Sequence, residues 1–274
     1  MDWKSQQNTD GGWAYSRGCS WTEPTALVLL AQTATGIDRT AFAPGAQFLR
    51  SLQGADGGWK PQANVAESTW VTALVALLPA ETIGLTQRRR ALDWLKRQTG
   101  RESGWRYRLT QRLNGNKEEF PEGWPWFPGA AAWVIPTSFS ILAFAGEPDL
   151  SSRVAEGRRF LLGHMCADGG WNHGSNRALG RDGDSYPETT GIALLALREA
   201  QLDRSLDRAK KHLDTCRTAE GIAWLRMGLA AHGIKTEAPI APPCRTTMDQ
   251  ALWALSNAPR NPLVTPAILS PVSY

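Results

Sequence analysis

Residues Gln53–Trp59 read QGADGGW, and the last four letters occur twice more, at Asp10–Trp13 and Asp168–Trp171. Two adjacent glycines let a chain turn sharply, and an indole placed directly after them covers apolar surface between the flanking elements. The distance from Trp59 to Trp171 leaves room for one more unit. Gly104–Trp105 stands there in weaker form, followed by a long insertion that runs to GWPWFPGAAAWVIPTSFSILAF. Self-similarity at a fixed period of this size marks stacked supersecondary units. The 274 residues hold 13 tryptophans and 26 glycines, and much of the tryptophan belongs to this pattern.

A second element follows each turn. The copies are TEPTALVLLAQ from Thr22, AESTWVTALVAL from Ala66, VIPTSFSILAF from Val134 and PETTGIALLAL from Pro187. They align on Thr25, Thr69, Thr137 and Thr190, with Leu30, Leu74, Leu142 and Leu195 following at a constant offset. Apolar residues cover nearly every face, which predicts buried helices. Pro24 and Pro136 fall where the first helical residue is expected, a place where proline loses no hydrogen bond. Glu23, Glu67 and Glu188 fall in or beside the first turn, where a carboxylate meets free amide hydrogens and the positive end of the helix dipole, so they are expected to act as caps.

Amphipathic helices precede the turns: APGAQFLRSLQ from Ala43, RRRALDWLKRQ from Arg88, SSRVAEGRRFLLGHM from Ser151 and LDRSLDRAKKHLDTC from Leu202. Their one-sided apolar stripes suit an outer layer. AEGIAWLRMGLAAHG from Ala219 and TTMDQALWALSNA from Thr246 continue the series. The expected fold is all-α, about ten helices or about five helical hairpins with Gly-Trp turns. A wholly apolar inner layer favours closure into an (α/α) toroid, complete or incomplete, over an open solenoid that would leave it wet. One domain is expected over residues 1–257, with an insertion at 100–133. The proline-rich stretch 258–274 is expected to run extended over the surface.

Composition narrows the partners. A net charge of +4 is too small to imply nucleic-acid binding. Four widely spaced cysteines suit free thiols and a cytoplasmic setting. The opening MDWKSQQNTDGGW predicts no signal peptide, and no apolar run is long enough to span a bilayer. Peripheral membrane contact and oligomerisation stay open.

With these residues in place, Gln53–Trp59 resembles the QW motif of the squalene–hopene cyclase and oxidosqualene cyclase superfamily. The PETTGIALLAL helices resemble inner helices of that superfamily, shared by protein prenyltransferase beta subunits (the prenyltransferase and squalene oxidase repeat). The resemblance runs from Asp10 to Leu255 and implies an α/α toroid. Full triterpene cyclases have two such domains, whereas this chain has the length of one. The resemblance also implies a terpene-cyclase-like activity on a polyprenyl or isoprenoid substrate, begun by protonating a terminal double bond. The alternatives are a non-catalytic toroid that holds an apolar ligand or a partner, and a protein-prenyltransferase-like activity.

The candidate acids follow from that resemblance. In class II terpene cyclases a DxDD motif at the start of an inner helix supplies the proton. Here its last two acids and following threonine fall on Glu188, Thr189 and Thr190, with Tyr186 where the first acid would stand. Glu188 is the one acid that matches. Asp182 and Asp184 of the nearby DGDS loop are the other candidates. The insertion gathers Arg106, Arg108 and Arg112 beside Trp124, Trp126 and Trp133. With Tyr186 these form a candidate site for an amphiphile with an anionic head and an apolar tail, such as a prenyl diphosphate or a lipid. Mg²⁺ would enter only with a diphosphate. No other cofactor is implied. A zinc site like that of the prenyltransferases would have to draw on His164 with Cys166, His212 with Cys216, or His173, and no tight cluster of ligands is visible.

Overall fold

The computed structural model describes residues 2–36, 39–104, 109, 110, 113, 121–174, 177, 178, 181–237 and 242–265. The described chain is mostly helical. The helices are α1 (Thr22–Thr35), α2 (Phe42–Ser51), α3 (Val71–Ala76), α4 (Ala80–Ile83), α5 (Leu85–Arg97) and α6 (Val134–Ala143). They continue with α7 (Ser151–Gly163), α8 (Pro187–Ala196), α9 (Asp203–Thr215), α10 (Ala219–Ala231) and α11 (Thr247–Asn257). A small antiparallel pair, β1 (Arg177–Ala178) and β2 (Arg181–Asp182), precedes α8.

Burial separates two layers. Along α1, α6, α8 and α10 almost every position is buried, as their all-round apolar sequences require. In α9 only Ser205, Ala209 and His212 are buried, and in α7 only Gly157, Phe160 and Leu161. The buried helices touch in order: α1 packs on α3, α3 on α6, α6 on α8, α8 on α10, α10 on α11, and α11 on α1 again. The amphipathic helices lie against them, α2 on α1, α5 on α3, α7 on α6, and α9 on both α8 and α10. The approach of α8 to α10 is especially close. A Cβ on Gly191 would lie 2.3 Å from the carbonyl carbon of Trp224, so this crossing requires glycine.

The repeated turn is a hydrogen-bonded clamp, and it occurs four times among the described residues. In the second copy Asp56 accepts from the Gly58 amide (3.1 Å) and the Ser68 hydroxyl (2.9 Å). Trp59 donates its amide to Thr72 Oγ1 (2.7 Å) and its indole N–H to the Leu49 carbonyl of the preceding helix (2.7 Å). Trp13, Trp124 and Trp171 make the matching amide bonds to Thr25, Thr137 and Thr190, and the matching indole bonds to Trp3, Leu95 and Leu161. All four indoles are buried. Gly57 has φ +96°, and a Cβ there would lie 2.7 Å from the Arg90 carbonyl oxygen, so both its conformation and its packing select glycine.

Several sequence expectations shift. A further copy of the turn stands at Gly123–Trp124; Trp105, of the Gly104–Trp105 pair expected to form it, lies outside the described residues. In this copy Pro121 stands in the aspartate's place and Glu122 in that of the first glycine. Arg153 donates to the carbonyls of Gln98, Glu122 and Gly123 and lies 3.6 Å over the Trp124 ring. The threonine that matches Thr25 is Thr72, not Thr69, because α3 starts at Val71. Pro24 and Pro136 are third residues of their helices, still within the turn whose amides have no intrahelical partner. Pro187 does occupy the first helical position. Neither Glu23 nor Glu188 caps its helix with a side-chain hydrogen bond, and Glu67 is exposed ahead of α3. The described part of the stretch after α11 makes contacts with the helices. Leu263 is buried, and Arg198 donates to the Leu263 and Val264 carbonyls. Residues 266–274 lie outside the described residues.

Candidate active site

The starts of α1, α8, α10 and α11 each supply one carboxyl group: Glu23, Glu188, Glu220 and Asp249. These groups are close enough to act on one another. Burial, and then the negative charges of Glu188, Glu23 and Asp249, push the Glu220 carboxyl up to about 7 from an ordinary 4.5. Glu23 is raised by burial, opposed by a hydrogen bond from Tyr15. Tyr15 donates its hydroxyl to Glu23 Oε2, and burial with the charge of Glu23 raises the phenol. The Tyr15 loop is held in place. Its carbonyl accepts the Thr247 amide at the start of α11 (2.8 Å), and its ring lies 5.6 Å from that of Trp21.

The four acids differ in what already satisfies them. Asp249 belongs to a capping box: Thr246 Oγ1 accepts the Asp249 amide, and Asp249 accepts the Thr246 amide, both at 2.9 Å. Glu23 has Tyr15. Glu220 and Glu188 accept no hydrogen bond among the described residues. An acid that is hemmed in by like charges and unpaired holds its proton near neutrality and can donate it. Among the described residues no group of three or more His, Cys, Asp or Glu side chains is placed to hold a metal ion.

Aromatic side chains surround the helix starts. Trp21, Trp70, Trp133 and Tyr186 are the residues immediately before α1, α3, α6 and α8. Trp70 meets Trp126 edge-on at 5.0 Å and Phe139 at 5.6 Å, and Phe139 meets Trp224 at 5.6 Å.

The residues singled out in the sequence separate. Glu188 lies in the acid group. Asp182, on β2, and Asp184 are exposed, and Asp184 acts on the Cys166 thiol beside the fourth turn rather than on Glu220. Arg106, Arg108 and Arg112 lie outside the described residues. Trp124 is consumed by the third turn, fully buried with its indole N–H bonded. Trp126 and Trp133 are half-buried near the helix starts, and Tyr186 is exposed with its ring 5.4 Å from that of His173.

Tyr15, Glu220, Asp249, Trp70, Phe139 and Trp224 were not foreseen. Glu220 could have been found, because TAEGIAW puts an acid at the start of an apolar helix as TEPTAL and PETTGI do.

A serine, a histidine and an aspartate also meet at the fourth turn. Ser185 Oγ lies 2.7 Å from His212 Nε2 and 2.8 Å from Asp168 Oδ2, and Arg208 contacts both Ser185 and Asp168. The aspartate holds the serine instead of orienting the histidine, so this is not a nucleophile relay. It is the Asp–Ser clamp of the repeat with a histidine added. His164 is likewise occupied, with Nδ1 2.8 Å from the Phe160 carbonyl and its ring stacked on Phe160.

No protein family model matches the sequence, and no curated protein matches it. Solved structures do. A substrate-bound variant of the type II terpene cyclase MstE from Scytonema, in complex with geranylgeranyl dihydroxybenzoate, superposes with a TM-score of 0.54 at 14% identity, covering 91% of this chain and 72% of that one. The same enzyme without ligand gives 0.52 at 16% identity, over 91% and 73%. An α-amylase from Clostridium perfringens gives 0.56 at 9% identity, over 92% of this chain and 94% of that one. The chain therefore has a terpene-cyclase-like fold, and that fold is also found in an enzyme of unrelated chemistry. Among the described residues no helix is long and apolar enough to cross a membrane.

Proposed function

We propose that residues 1–257 form a single α/α toroid that carries a terpene-cyclase-like site for an isoprenoid, with Glu220 as the general acid. The observation that carries this reading is the Glu220 carboxyl, without a hydrogen-bond partner among the described residues, raised to about 7 beside Glu188, Glu23 and Asp249, and one helical turn from Trp224. The order of helix contacts, which returns from α11 to α1, supports the toroid. The cyclase superposition supports the substrate class, since that protein was solved with a geranylgeranyl compound.

Each residue has a part in the reaction. Protonated Glu220 gives its proton to the terminal alkene carbon of the substrate. The alkene's π electrons form the new C–H bond, and a tertiary cation is left on the neighbouring carbon. A second double bond of the same molecule attacks that cation and closes a ring. Loss of a proton to a carboxylate, or capture of water, ends the sequence. The carboxyl groups of Glu23, which accepts the Tyr15 hydroxyl bond, and Glu188 stand near Glu220 and, where ionised, favour the developing cation, and aromatic faces add to this. Neither step requires a redox cofactor. Mg²⁺ would accompany a diphosphate substrate. The reading makes the protein cytoplasmic or peripheral to a membrane that holds its substrate, and makes the apolar isoprenoid its principal partner.

Incubation with geranylgeranyl and farnesyl substrates, followed by product analysis, tests this. A cyclised product is expected from the parent, falling about 10²–10⁴-fold in Glu220→Gln. Binding without conversion in both proteins would leave a toroid that holds an apolar ligand. Paired carboxylates also serve glycoside hydrolysis, and the α-amylase superposition covers nearly all of both chains. Release of sugar from a starch-type glucan, lost in the same variant, would replace the isoprenoid reading.

A further inference from the structure

Phe139 lies on α6 and Trp224 on α10. Helix α8 packs between those two helices, yet the rings meet at 5.6 Å with an interplanar angle of 76°. Contact between helices that are not neighbours in the cycle takes place on the inner side of α8, in the space that the cycle encloses. Trp70, from the start of α3, closes on Phe139 from a third direction. Phe139 exposes 2% of its surface and Trp224 3%, which leaves no water-sized space beside either ring.

Trp224 follows Glu220 by four positions on α10, so the two side chains share a face about one turn, or about 6 Å, apart. The Trp224 backbone is clasped by Gly191 of α8 and has no room to withdraw. Glu23, Glu188 and Glu220 are only partly buried, whereas the two rings are fully enclosed.

We propose that Phe139 and Trp224 are the floor of the acid site and set the length of isoprenoid from which it draws affinity, accepting a short chain and gaining nothing from further units. This rests on the terpene-cyclase-like reading of the site. A substrate whose terminal double bond reaches Glu220 meets packed rings one turn further in. Edge-to-face rings at interior packing density do not part without losing their contacts. The remaining chain must fold back among the helix starts or hang in water. Units left in water contribute no hydrophobic stabilisation. The cyclase relatives take a geranylgeranyl compound, so the limit separates this site from theirs.

Calorimetric titration with geranyl, farnesyl and geranylgeranyl diphosphate tests the floor. The parent is expected to bind geranyl diphosphate at least as tightly as geranylgeranyl diphosphate. Trp224→Leu and Phe139→Val, on different helices, should each shift the ratio of geranylgeranyl to geranyl affinity about tenfold or more toward the longer chain. Circular dichroism confirms that each variant is folded, and the parent series stands without them. Parent affinity that rises with every added unit would overturn the proposal. So would folded variants that keep the parent's ratio. Absence of binding by any chain length to any of the three proteins would overturn the isoprenoid reading itself.

Discussion

The turn at Trp59 and the mouth around Glu220 treat polar groups in opposite ways. In the turn the polar groups of the motif are paired: Asp56 takes an amide and a hydroxyl, the Trp59 amide goes to Thr72, and the indole goes to Leu49. In the mouth, carboxyl groups from four helix starts face one another, and Glu220 and Glu188 accept no hydrogen bond among the described residues. The turn recurs, with small substitutions, at Trp13, Trp124 and Trp171. The mouth occurs once, because each of its acids comes from a different repeat. A satisfied and repeated group is geometry. A carboxyl that is crowded by like charges and occurs once conflicts with its surroundings, and marks a place to look for a ligand or a reaction.

The largest expected effect lies on the turn side. Trp59→Ala removes a fully buried indole and its hydrogen bond, and should lower stability by about 3–5 kcal/mol in denaturant unfolding. An unchanged midpoint would remove the structural half of the contrast.

Glu220→Gln should act in the opposite direction. Its folded carboxyl is raised above the unfolded value, so the folded state binds more protons between pH 4.5 and about 7. The parent should therefore lose stability as pH rises through that window, by up to roughly 3 kcal/mol, and then level off. Glutamine, which does not ionise, should abolish that slope and make the variant the more stable protein at pH 8. Parallel stability curves for the two proteins would show that Glu220 is solvated and unremarkable.

A smaller effect concerns register. Thr72→Val keeps the shape but strands the Trp59 amide, at about 1–3 kcal/mol. Thr69→Val leaves that amide bonded and should be milder. The reverse order would restore the alignment on Thr69. Smallest of all, Glu67→Ala should stay within about 0.5 kcal/mol, since the side chain is exposed and caps nothing.

The turn was legible because it is written several times over. DGGW, the apolar helices after it and the amphipathic helices before it all follow from spacing and residue type. The slip at Thr69 has a simple source. Leu74 follows Thr69, and Leu77 follows Thr72, at the offset seen in every copy, so the pattern fits both registers. Only the position of the Trp59 amide separates them. The third turn escaped because Pro121 stands where the aspartate would be, and Arg153, a donor from the next helix, braces the turn through its carbonyls instead.

The mouth was hardly legible at all. Glu188 was visible as an acid at a helix start, but Glu23 was read as a cap, when its partner is a tyrosine in the preceding loop. The packing of α10 and α11 beside α1 decides which acids meet, and no local pattern records that packing. Trp224 looks like any core residue until its ring is found against Phe139.

The central claim is that Glu220 keeps its proton near neutrality, and carboxyl NMR measures this most directly. With glutamate side chains isotopically labelled and the Glu220 signal assigned by its loss in Glu220→Gln, that signal should titrate near pH 7. In Tyr15→Phe, Glu23 loses the hydrogen bond that lowers its pKa and takes up a proton more readily, so its charge on Glu220 weakens and the Glu220 transition should move. A single Glu220 titration at the ordinary value near 4.5, untouched by Tyr15→Phe, would contradict the claim and leave the mouth without a proton donor.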